Sequence, residues 1–243
     1  MRRSFATCIG ACLLLLLSGV ASAEQKAISF TADVSKTVEL DYLLNVPDGY
    51  EADDTRRWPL VLFLHGAGER GDDVWKVALH GPPKLIAAGK DIPAIVVSPQ
   101  CPAGQWWDHH LEALSLLLDQ IEADYRVDAD RIYVTGLSMG GFGTWALASR
   151  EPDRFAAAIP ICGGANMIAS ISLGKLPIWA FHGEADSVVP LEETTRVVEA
   201  IQRRGGKSIK LTTYPGVNHD SWTQTYDNEE VWEWLFSKQR SND

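Results

Sequence analysis

The sequence predicts a doubly wound α/β fold, a mostly parallel twisted sheet with helices on both faces. Two observations carry this. Six short, largely apolar runs occupy residues 60–64, 94–97, 132–135, 156–161, 178–181 and 211–214. Strands of that kind are buried on both faces, which is what a parallel sheet requires. Segments with helical periodicity fall between the runs, and strand–helix alternation puts helices on both sides of one sheet.

The chain opens with a different kind of segment. Arg2 and Arg3 precede an apolar stretch over 9–20, and Ala21-Ser22-Ala23 fits an A-x-A cleavage site. Residues 1–23 are therefore expected to be a secretory signal peptide, and 24–243 a single catalytic domain. The apolar stretch is too short for a membrane span, so no stable membrane insertion is expected after cleavage. Removing 23 of 243 residues leaves 220, enough for one domain with a sizeable core. The removed piece carries two arginines and no acid, so the formal net charge moves from −10 to −12. An acidic surface disfavours nucleic acid and anionic membranes as partners, and neither is expected. Export makes the final location the periplasm or the medium.

Residues 38–46 alternate apolar and polar (Val38, Leu40, Tyr42, Leu44, Val46), which predicts a half-buried antiparallel strand. Ile28-Ser29-Phe30-Thr31 is the expected partner, and Pro47-Asp48-Gly49 the following turn. Leu111, Leu114, Leu118, Ile121 and Tyr125 follow helical spacing, with Glu112, Asp119 and Glu122 outward. Residues 191–203 form a second amphipathic helix, and Val231 and Phe236 lie on a third. About a dozen residues separate Gly164 from Leu176, which leaves little or no room for a cap domain. An open cleft is expected, with 69–91 the other stretch able to cover it.

The chemistry centres on Gly136-Leu137-Ser138-Met139-Gly140-Gly141. It follows the run 132–135 and precedes a helical segment at 142–148. Gly-x-Ser-x-Gly between a strand and a helix is the nucleophile elbow. A serine hydroxyl is a weak nucleophile unless a histidine takes its proton and a carboxylate orients that histidine. In this architecture the order is serine, acid, histidine. Only His182 and His219 follow Ser138. His182 precedes the best-placed carboxylate, Asp186, and is read as structural. Asp186 and His219 each lie just beyond a predicted strand, at the edge where open α/β sheets bind ligands. Glu184 and Asp220 are the rival carboxylates. An oxyanion hole needs two backbone N–H donors. Met139 supplies one. The loop His65-Gly66-Ala67-Gly68 supplies the other, with Ala67 preferred and Gly68 second.

At these residues the chain resembles the α/β-hydrolase superfamily. More narrowly it is similar to secreted esterases and peptidases of the polyhydroxybutyrate-depolymerase and feruloyl-esterase type. The likeness is carried by 58–71 (Trp-Pro through His65-Gly66-Ala67-Gly68-Glu69-Arg70-Gly71) and by Val97-Ser98-Pro99-Gln100-Cys101-Pro102. It continues through the elbow, His182-Gly183-Glu184-Ala185-Asp186 and Asn218-His219-Asp220. The resemblance implies an acyl-enzyme mechanism with no metal or organic cofactor. It also implies a strand order from the edge inward of the strand ending at Gln100, the one ending at His65, the elbow strand and the one ending at Ile161. That order puts two strands between Cys101 and Cys162, too wide for a disulfide at about 4.8 Å per strand. Free thiols are expected.

Nine tryptophans are unusual in a chain of this length. Trp145 and Trp179 are expected in the core, and one of Trp232 and Trp234. Trp106, Trp107 and Trp222 fall in loops on the catalytic side, as candidate substrate-stacking residues. Asp108-His109-His110 lacks a third ligand at suitable spacing and is read as solvated or helix-capping. Arg70, Asp72 and Asp73 are read as a charged surface loop. The expected function is a secreted serine carboxylesterase acting on a small-molecule or polymer-linked ester. A serine peptidase and a non-catalytic binding module are the alternatives.

Overall fold

A computed structural model describes residues 26–240. The expected signal peptide at 1–23 lies outside the described residues. Residues 26–37 form a unit of their own with no helix or strand. The expected strand over 28–31 does not form, and Ile28 and Phe30 are exposed.

The remainder is built on a seven-stranded sheet. Its strands are β1 (Tyr42–Asn45), β2 (Trp58–Leu64), β3 (Ile95–Pro99), β4 (Val127–Leu137), β5 (Ala157–Ile161), β6 (Ile178–Gly183) and β7 (Ile209–Tyr214). The spatial order is β1-β3-β2-β4-β5-β6-β7. Every pairing is parallel except β1 with β3. The alternating segment therefore does form an antiparallel edge strand, shorter than its pattern, and its partner is β3.

The apolar runs are buried on both sides for a periodic reason. Successive side chains of a strand point to opposite faces. Leu60, Leu62 and Leu64 join one core, while Val61 and Phe63 join the other. The first core is closed by α2 (Leu111–Asp124), α3 (Met139–Arg150) and α4 (Glu192–Arg203), through residues such as Leu114, Trp145 and Val197. The second is closed by α1 (Gly81–Ala87), α5 (Trp222–Asp227) and α6 (Glu229–Phe236), through Tyr226, Val231 and Trp232. Each fully buried side chain of this size contributes roughly 1.5–3 kcal/mol, so both layers are needed to hold the sheet. Trp145 and Trp179 are core residues; of the last pair Trp232 is buried and Trp234 packs at the edge. Cys101 and Cys162 follow β3 and β5, with β2 and β4 between them, and both are free and buried.

Candidate active site

Ser138 sits between β4 and α3 at φ 52°, a left-handed conformation that a serine adopts only under constraint. The constraint is close packing around the elbow. A Cβ on Gly140 would lie 1.8 Å from the Leu64 carbonyl oxygen, so only glycine lets α3 approach β2 this closely. Ser138 N–H donates to Ile161 O at 3.0 Å and ties the turn to the end of β5.

The three separated side chains converge here. His219 Nε2 lies 2.9 Å from Ser138 Oγ, and His219 Nδ1 lies 2.7 Å from Asp186 Oδ2. Asp186 Oδ1 accepts from the N–H groups of Val188 and Val189, both at 2.9 Å. Burial by itself would raise the Asp186 carboxyl. The bonds from His219 and the two backbone amides outweigh it and hold the group below its ordinary value. It is a carboxylate at neutral pH, as the orienting role needs.

Two loops carry Asp186 and His219, and Asn218 joins them. Its Oδ1 accepts from Ser187 N–H, Ser187 Oγ–H and His219 N–H. Gly183 permits the approach, since a Cβ there would meet Val217 O and Asn218 O at 2.4 Å. Glu184 and Asp220, the rival carboxylates, are otherwise engaged. Glu184 accepts from Thr213 Oγ1, and Asp220 accepts from Thr223 N–H and Oγ1.

His182 is fully buried behind Asp186. Its Nε2 lies 3.3 Å from Asp186 Oδ2 and 2.9 Å from Val189 O, and its Nδ1 lies 2.7 Å from Thr194 Oγ1. The sequence reading placed it as structural and missed this contact. Cys162 was missed as well. Its sulfur, an Asp186 oxygen and a His219 nitrogen lie within 4.8 Å of one another. Burial pushes the Cys162 thiol up to about 12, so it stays neutral, and both His219 nitrogens are already committed. The line from Ser138 through His219 to Asp186 is thus backed by an uncharged thiol.

Ala67 and Met139 line the same cleft as Ser138. Arg70, expected as a surface charge, instead builds the loop. Its Nε donates to Ala67 O at 2.8 Å and Nη1 to Gln105 O at 3.1 Å. Trp107 is 1% exposed; its indole N–H donates to His65 O at 3.0 Å, so it anchors this loop from the core. Trp106 is half exposed at the cleft, and Trp222 packs edge-on against His219 at 5.2 Å. On its other side Trp222 meets His80, whose Nε2 is 3.8 Å from the buried Glu69 carboxylate.

The cleft measures about 900 Å³. One face of α3 forms its floor, through Phe142, Gly143, Ala146 and Ser149. The spacing of three and four is that of a helix face. Trp106 and Leu111 stand on one side, Asn166, Ile168 and Ala169 on the other. The segment 164–176 holds one short 3₁₀ turn, Met167–Ile171, and no helical cap.

A mostly parallel sheet with the serine elbow on β4, and acid and histidine on the loops after β6 and β7, is the α/β-hydrolase arrangement. Within that superfamily the chain belongs to the dienelactone hydrolase family, whose profile matches residues 104–234. A feruloyl esterase C of Emericella nidulans is 29% identical over 172 residues, covering 69% of this chain and 62% of that one. A poly(3-hydroxyalkanoate) depolymerase C of Paucimonas lemoignei is 34% identical over 140 residues, covering 51% of this chain and 31% of that one. A solved thermostable esterase superposes with a TM-score of 0.74 at 37% identity, over 86% of this chain. This chain spans 61% of that esterase's length.

Proposed function

We propose that the protein is an exported serine carboxylesterase that works through Ser138, His219 and Asp186. The observation that carries this is the unbroken hydrogen-bonded line from Ser138 Oγ through His219 to Asp186 Oδ2. In the first half-reaction Ser138 Oγ attacks the ester carbonyl carbon while its proton passes to His219 Nε2. The oxyanion is met by the N–H groups of Met139 and Ala67. Collapse expels the alcohol, which takes the proton from His219. Water then enters by the same route, releasing the acid and regenerating Ser138. Asp186 holds the ring and stabilises the imidazolium formed on the way.

The cleft supports the division of the substrate. The leaving alcohol must adjoin His219, which protonates it. The 900 Å³ cleft runs from Ser138 along α3, bordered by Ala67 and Met139 and not by His219 or Trp222. It is therefore assigned to the acyl half, and its size and apolar walls suit a bulky acyl group. Residues 1–23 direct export and are removed.

The test is a panel of p-nitrophenyl acetate, feruloyl and longer-chain acyl esters with peptide anilides as comparison. Ester hydrolysis lost in Ser138→Ala supports the reading; cleavage of anilides in preference to every ester contradicts it. In the same panel Ala146→Trp fills the floor of the cleft. It is expected to lower kcat/KM for the bulky esters by about tenfold, or 1.4 kcal/mol, and to spare the acetate.

A further inference from the structure

We infer that His182 is a buried imidazolium paired with Asp186, and that it is a positioning residue which sets how strongly Asp186 supports His219. The charge of His182 stands on its own contacts. The effect on His219 rests on the esterase reading above.

Thr194 Oγ1 donates to Gly163 O at 2.5 Å. Two oxygens come that close only across a hydrogen, and a carbonyl has none to give. The one hydroxyl hydrogen of Thr194 is thus spent on Gly163. His182 Nδ1, 2.7 Å from the same Oγ1, must bring its own. On the far side of the ring Nε2 faces Val189 O at 2.9 Å and Asp186 Oδ2 at 3.3 Å. Both are acceptors only, so Nε2 must carry a hydrogen too. An imidazole with hydrogens on both nitrogens is a cation. Either neutral tautomer fails. Protonated on Nδ1 alone, the ring turns a lone pair toward Val189 O and Asp186. Protonated on Nε2 alone, it leaves one hydrogen to serve both contacts of Thr194 Oγ1.

The surroundings supply the counter-charge. His182 and Asp186 side chains are both 0% exposed. A charge buried to that degree persists only when paired and hydrogen-bonded. The other ionisable groups on the elements packed around it are accounted for. On the β5 end Cys162 is a neutral thiol. After β6, Glu184 is held by Thr213 of β7. On α4, Glu193 is paired with Arg196. His219 reaches the same carboxylate oxygen from the other side. Asp186 is thus one carboxylate shared by two imidazoles, one charged throughout and one charged only during turnover. A fixed cation reduces what Asp186 contributes when His219 takes up a proton. The imidazolium formed on His219 during turnover is therefore stabilised less than it would be by a carboxylate serving that ring alone.

Nitrogen NMR of the histidine-labelled wild-type protein tests the charge without any variant. At about pH 8, where a free imidazole is neutral, one ring is expected to show two protonated nitrogens. If every histidine ring shows one protonated and one bare nitrogen, the proposal is overturned. His182→Gln, which can donate to Val189 O but carries no charge, is expected to remove that signal. It is also expected to move the acid limb of the kcat/KM profile up by about one pH unit, a roughly tenfold loss below the limb. The alkaline plateau should stay within about threefold, because the reacting groups are untouched. An acid limb that does not move, in a variant with wild-type circular dichroism, overturns the coupling to His219. A wild-type protein with no ester hydrolysis would sink the esterase reading and leave the NMR result standing.

Discussion

Two histidines in this molecule have the same setting and different charge. His65 follows β2 and His182 lies at the end of β6; each is followed by glycine, and each is fully buried. His65 Nδ1 donates to Gly66 O at 2.6 Å, and His65 Nε2 accepts from Cys101 N–H at 2.9 Å. One partner is an acceptor and the other a donor, so the ring is neutral and its tautomer fixed. Burial, opposed by the Gly66 bond and helped by Arg70, brings its pKa down to about 4. The partners of His182 are acceptors on both sides, so that ring is a cation. Burial alone decides neither outcome; the partner set does. The uncharged ring lies under the oxyanion loop, where it braces Cys101 and Trp107. The charged one lies behind the acid, where a carboxylate is present to receive it.

The largest expected effect breaks the comparison at its counter-charge. Asp186→Asn removes the group that both His182 and His219 address, and kcat for p-nitrophenyl acetate should fall about 10⁴-fold. A fall of less than tenfold would mean that neither ring depends on it. Next is His65→Ala. It unpairs a buried Cys101 N–H and opens a cavity beneath the oxyanion loop, at a cost of about 3–4 kcal/mol in urea unfolding. A cost below 1 kcal/mol would show that the ring braces nothing.

The smallest effect is a pH slope that separates the two sites. A histidine whose folded pKa is depressed leaves the unfolded chain holding more protons between the two values. Stability therefore falls as pH drops from about 6.5 to about 4, by at most about 3 kcal/mol for His65. Asp186 is also depressed, but as an acid: its contribution is full above 3.8 and is lost only below that. Urea unfolding across this range should show the upper step vanish in a His65→Gln variant while the lower step remains. A single step unaffected by that variant would contradict the neutral assignment.

The pattern of what the sequence made legible follows from range. The parallel strands were readable because burial on both faces leaves runs such as Leu60 to Leu64 without alternation. The three side chains that meet at Ser138 were readable because elbow context and chain order left few candidates after it. The residues that failed are those whose meaning is set from elsewhere. α1 begins at Gly81-Pro82-Pro83, inside the stretch 69–91 that reads only as able to cover the cleft. Its prolines are tolerated only because the first helical turn lacks intrahelical N–H partners. The N-terminal partner strand over 28–31 was inferred from local composition, while the edge pairing is settled by β3. Trp107 reads as a candidate stacking residue from its place in a loop; it borders the cleft, and its packing on His65 is what no local signal shows. His182 looked structural because its role depends on where Thr194 and Gly163 arrive, twelve residues and more away along the chain.

The central claim is that Ser138, raised on a strained turn and bonded to His219, is the reacting group. Fluorophosphonate labelling of the folded protein tests it most directly. The account predicts stoichiometric labelling of the wild type, none in Ser138→Ala and strong slowing in His219→Ala. A folded wild type that takes no label, or a Ser138→Ala variant that labels as fast, would contradict it.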